Sequence, residues 1–117
     1  MFLQLRHQEL DLYKICRLFV KECYSATKLL PPDERFNLIQ QIRRAALSVQ
    51  LNIAEGSTRK SEIERKRFYE IARGSLVEID AALDVAEDLE YLQREKLIPL
   101  GDNMLKCFKI LSKFISG

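Results

Sequence analysis

Residues 45–61 read AALSVQLNIAEGSTRKS, an aliphatic run that holds an asparagine and a glutamate and then breaks at small and basic residues. On a helical wheel of about 100° per residue the run separates into three stripes. Ala45, Val49, Ile53 and Gly56 extend back through Ile42 to Leu38 at steps of three and four, the spacing of a core-facing stripe. Leu47, Leu51 and Ala54, with Phe36 upstream, point roughly the opposite way. Ser48, Asn52 and Glu55 fall between them, on a polar seam that runs from Asn37 through Gln41 and Arg44 to Arg59. A helix apolar on two sides is normally buried on two sides. The interior of one bundle covers only the first, so Phe36, Leu47, Leu51 and Ala54 are expected to form a subunit interface.

Outward from this stretch, punctuation divides the chain into four helical segments, over about 8–30, 32–56, 61–92 and 96–115. The first places Leu12, Ile15, Cys16, Phe19, Cys23 and Ala26 at helical spacing, and LLPPDER (29–35) stops it. Pro32 suits the first turn of the second helix, with Asp33 and Glu34 at its positive end. Ser61 and Glu64 have the spacing of a capping box that starts the third. Its inner arc reads Phe68, Ile71, Ser75, Ile79, Ala82, Ala86 and Leu89. The fourth has Pro99 in its first turn and Met104, Phe108, Leu111 and Ile115 inward. No strand pattern or repeat competes. The expected fold is all-α: one domain over 1–117, an antiparallel up-down-up-down four-helix bundle.

Composition narrows the function. The chain has 117 residues, 47% hydrophobic and 31% charged, long enough to bury a core without staples. Nineteen basic residues against seventeen acidic ones leave a net charge of +2, so only local clustering can argue for a polyanionic partner. The opening MFLQLRHQELDLYK meets charges before a signal-peptide core can form, and no apolar run approaches the roughly 20 residues of a membrane span. A cytoplasmic location with no membrane partner is expected. Cys16, Cys23 and Cys107 form no CxxC pair, and His7 is the one histidine, which argues against a disulfide framework or a zinc site. Buried free thiols and no cofactor or metal are expected.

The polar seam needs partners, because a carboxylate or guanidinium buried alone is costly. Glu78 projects into the arc of the third helix and Arg67 borders it. Arg44–Glu78 and Glu55–Arg67 lie eleven residues apart on each helix, so one antiparallel register satisfies both as semi-buried bridges. Ser48, Asn52 and Ser75 would complete the hydrogen bonds. Gly74, in mid-helix, reads as a close approach of another backbone, and Gly56 as a C-terminal cap.

RRAALSVQLNIAEGSTRKS (43–61) followed by RFYEIARGSLVEIDAALDVAEDLEYL (67–92) closely resembles the 23S rRNA-intervening sequence proteins, and LLPPDERFNLIQQI (29–42) extends the likeness over most of the chain. NIAEG and IARGS in this order and spacing are far more specific together than either alone. That family is similar in fold to the accessory variability protein of diversity-generating retroelements. The resemblance implies a homopentameric ring of small bundles and a link to nucleic acid. The family's name refers to genes inside inserted segments of ribosomal RNA and states no activity.

Three function classes remain. Asn52, Glu55, Arg73 and Glu78 could suggest acid–base chemistry, but the two carboxylates sit some three turns out of register, and no nucleophilic triad or phosphate loop accompanies them. No enzyme activity is expected. Arg59, Lys60, Arg65, Lys66 and Arg67 cluster at the turn into the third helix, and Lys106, Lys109 and Lys113 stripe the fourth. These are the candidate nucleic-acid-binding residues, set against Glu62, Glu64 and Glu70, which would balance a merely solvated face. The alternative is a scaffold that recruits an unknown protein through the avidity of a ring.

Overall fold

The structure, a computed structural model, describes residues 1–5 and 10–117. The expected start of the first helix near residue 8, and His7, lie outside the described residues. Among the described residues four α-helices follow in order: α1 (Asp11–Thr27), α2 (Leu38–Thr58), α3 (Glu62–Asp88) and α4 (Ile98–Ser116). Each packs against two neighbours, α1 on α2, α2 on α3, α3 on α4, and α4 back on α1. Short links make consecutive helices antiparallel, so the architecture is a four-helix bundle, and no strand occurs among the described residues.

The core is continuous from end to end. Cys16, Phe19 and Cys23 of α1 meet Ile42, Val49 and Ile53 of α2, Ala72, Leu76 and Ile79 of α3, and Leu100, Cys107 and Leu111 of α4. Burying each large aliphatic or aromatic side chain contributes about 1.5–3 kcal/mol. Thr27, buried at the end of α1, donates its hydroxyl to the Tyr24 carbonyl at 2.7 Å and accepts from Arg43 Nε at 2.9 Å. The Arg43 guanidinium also lies 5.0 Å over the Tyr24 ring, so one arginine ties α1 to α2. Pro99 sits in the first turn of α4, and Ser61 Oγ caps α3 by accepting from the Glu64 N–H at 3.4 Å.

Element ends differ from the expectation. Pro32–Glu34 form a separate 3-10 turn, and Asn37 leaves the helical region at φ −119°, ψ −100° before α2 begins. Phe36 therefore lies on the connector and not on the α2 stripe with Leu47. α3 stops at Asp88, short of the expected Leu92, because Glu90 adopts φ 64°. The Tyr91 N–H bonds the Ala86 carbonyl at 2.9 Å and the Glu90 N–H bonds that of Glu87 at 2.9 Å. This is a Schellman closure with glutamate where glycine is usual.

The rotation of α3 also differs. Its buried face carries Tyr69, Ala72, Ser75, Leu76, Ile79 and Ala86, whereas Ile71 and Leu89 are exposed. α3 packs between α2 and α4, so its buried arc bisects those two directions and not the α2 direction alone. Phe108 of α4 is likewise displaced to the rim by Cys107, which points inward. Neither glycine plays the expected role. A Cβ on Gly56 would meet Phe68 Cβ at 2.9 Å and the Tyr69 ring at 3.0 Å, so Gly56 is the close approach and lies inside α2. Nothing lies within 4 Å of a Cβ built on Gly74.

Candidate nucleic-acid interface

The seam on α2 is a packing device. The Ser75 hydroxyl donates to Ser48 Oγ at 2.8 Å, and Asn52 Nδ2 donates to the Ser48 carbonyl at 2.8 Å and to Ser48 Oγ at 3.1 Å. Asn52 thus reaches α3 through Ser48. Arg44 Nη2 lies 3.6 Å from Glu78 Oε1, joining the expected pair, but the side chains are 66% and 47% exposed. That exposure corrects the semi-buried reading, and such pairs contribute little to stability. No ion pair joins Glu55 to Arg67. Glu55 takes Arg59, one turn on, at 2.9 Å, and the Arg59 guanidinium is held 5.0 Å over the Phe68 ring. Arg67 is exposed. The local i, i+4 contact outcompetes the cross-helix one because it closes without spanning the interhelical distance.

Asn52, Glu55, Arg73 and Glu78 are drawn to separate partners. Arg73 Nη1 donates to Ser112 Oγ at 3.2 Å and its guanidinium lies 5.9 Å over Phe108. Burial raises the pKa of Cys16, Cys23 and Cys107, the last to about 12, so these thiols remain protonated at neutral pH. No grouping of three or more His, Cys, Asp or Glu among the described residues suits a metal.

The basic residues converge at one end of the bundle. A cleft of about 460 Å³ opens where the α2–α3 turn meets the last turns of α4. Arg59, Arg65, Lys66 and Lys113 line it, with Glu62 the acidic lining residue and Tyr69 and Phe114 as aromatic walls. Arg65 Nη1 donates to the Arg59 and Lys60 carbonyls at 3.0 and 2.7 Å, so this guanidinium is fixed by the turn that follows α2. Lys66 pairs with Glu62 at 3.3 Å and Arg59 with Glu55, whereas Arg65 and Lys113 make no ion pair among the described residues. Those two carry the uncompensated charge of the cleft. Lys60 is exposed on the turn and outside the lining. Lys106 and Lys109 are exposed on α4, about 10 and 6 Å along the axis from Lys113.

Phe114, which the sequence reading missed, faces Tyr69 with ring centroids 5.6 Å apart and planes tilted by 47°. Its only signal is its place one residue after Lys113, since the α4 stripe passes through Leu111 and Ile115 and skips it.

The family model described as 23S rRNA-intervening sequence protein matches residues 8–113. The chain belongs to that family. The family match covers the seam, both glycines and the cationic lining, ending at Lys113, one residue before Phe114. No curated protein matches the chain. Among the described residues of this family member, no helix is long and apolar enough to cross a membrane.

Proposed function

We propose that this bundle is a non-enzymatic, self-associating cytoplasmic protein that binds nucleic acid through its phosphates. The cleft carries the reading: Arg65 and Lys113, uncompensated and more than 40 residues apart in sequence, line one concavity together with Arg59 and Lys66. Phosphate binding releases counterions, so affinity for RNA or DNA falls as salt rises. Anisotropy titrations over a salt series test it. Replacing Arg65 and Lys113 by alanine is expected to weaken binding and lower the salt slope by about 2, one for each lost phosphate contact. Binding that ignores both salt and the double substitution would remove the cleft from the function.

Self-association is supported by the outer surface of α2 and α3. Leu47, Leu51, Ile71, Val77, Val85 and Leu89 are all 45–60% exposed. Exposed aliphatics gathered on a packed helix pair support an interaction surface. A ring of five, as the resemblance implies, is the assembly we propose, and it would multiply the cleft around a symmetry axis. Light scattering is expected to give a pentamer mass, and Leu51→Glu to reduce it; a monomeric parent protein would overturn the ring. The same apolar surface favours a second reading, a scaffold for another protein, which a nucleic-acid-free pull-down would reveal.

A further inference from the structure

Resting on that nucleic-acid reading, we infer that the cleft takes a single strand, seating an unpaired base against Phe114 with the flanking phosphates on Arg65 and Lys113. Three features lead there. The basic residues line a concavity of about 460 Å³ and not a flat or convex surface. That volume lies within the roughly 300–1,000 Å³ range of small-ligand pockets, suited to one nucleotide. A duplex shows base edges in its grooves but keeps every base face stacked, so it can touch the rim but has no free base to seat in the cavity.

The second feature is the aromatic wall. Phe114 is 37% exposed although its neighbour Tyr69 is buried, so part of a supported ring faces the cleft. Aromatic faces beside a positive groove are the common platform of single-strand binding, and every base has a π-face to offer them.

The third is the disposition of charge. Arg65 is held by two turn carbonyls through Nη1, which fixes the guanidinium before any ligand arrives. Lys113 and Phe114 both line the cleft, so a phosphate on the lysine leaves its base within reach of the ring. By contrast, Lys106 and Lys109 lie on an exposed helix surface outside the cleft, the geometry a duplex backbone would follow.

The test compares a fluorescent 12-nucleotide oligo-U with a 12-base-pair RNA duplex at one salt concentration, using the full chain. The single strand is expected to bind at least about ten-fold more tightly, and Phe114→Leu to cost about five-fold or more of that affinity. Because Phe114→Leu removes no charge, the salt slope should stay unchanged and duplex affinity should not move. Phe114→Trp, which keeps a π-face, should retain single-strand binding, separating stacking from any loss of packing. Equal or tighter duplex binding, abolished by replacing Lys106 and Lys109 with alanine, would overturn the single-strand inference and leave the nucleic-acid reading standing. Absence of binding by either form would overturn both.

Discussion

On its inner surface the α2–α3 hairpin is closed. Gly56 admits Phe68 and Tyr69 to distances that a methyl group would violate, and Asn52, Ser48 and Ser75 satisfy one another across the joint. On its outer surface the same two helices present Leu47, Leu51, Ile71, Val77, Val85 and Leu89 to solvent, with Gly74 among them and nothing near it. Both surfaces carry aliphatics at helical spacing and one glycine. The inner glycine is explained by its neighbours in the chain. The outer one costs helix stability with no return inside the bundle, which is consistent with the self-association proposed for this surface.

That contrast can be broken by substitution. Ile53, fully buried, should cost about 2–5 kcal/mol when replaced by alanine, measured by denaturant unfolding at fixed protein concentration. Loss of less than 1 kcal/mol would mean that the joint is looser than described. Gly56→Ala should destabilise by about 1–3 kcal/mol, since the added methyl presses on the Cβ of Phe68, which cannot swing away. A neutral outcome would show that α2 and α3 can separate there.

Gly74→Ala carries the opposite sign. With open space around it, the substitution should raise the stability of the isolated chain by about 0.5–1 kcal/mol, while weakening self-association seen by light scattering. Stabilisation without any effect on assembly would place the subunit contact elsewhere. The smallest effect belongs to Arg44 and Glu78. A double-mutant cycle with the charges exchanged should return a coupling below about 1 kcal/mol, as both groups are largely in water. A larger coupling measured only in the assembled form would show that a neighbour buries the pair.

The helices were legible because apolar residues recur at steps of three and four and prolines interrupt them. Their ends were less so. Nothing in DLEYL announces that Glu90 adopts the left-handed conformation, because glutamate has no preference for it and only the surrounding closure holds it there. The rotation of α3 was misjudged because its inner and outer apolar stripes overlap on the wheel, so periodicity reports two hydrophobic directions without ranking them. Of the interface set expected on α2, Leu47 and Leu51 do face outward, Ala54 is half-buried, and Phe36 belongs to the preceding connector.

By itself the sequence determined that the chain is four amphipathic helices, that α2 has two apolar faces, and which residues form the seam between them. Those properties follow from short-range spacing, which any helix expresses wherever it packs. Only the tertiary structure decided that Gly56 and not Gly74 marks the close contact, and that Glu55 turns to Arg59 instead of Arg67. It also decided that Arg65, Lys113 and Phe114 share one cleft. These are relations between residues on different turns and different helices. They depend on how α2, α3 and α4 rotate about their axes once the core has closed, and no local pattern encodes that angle.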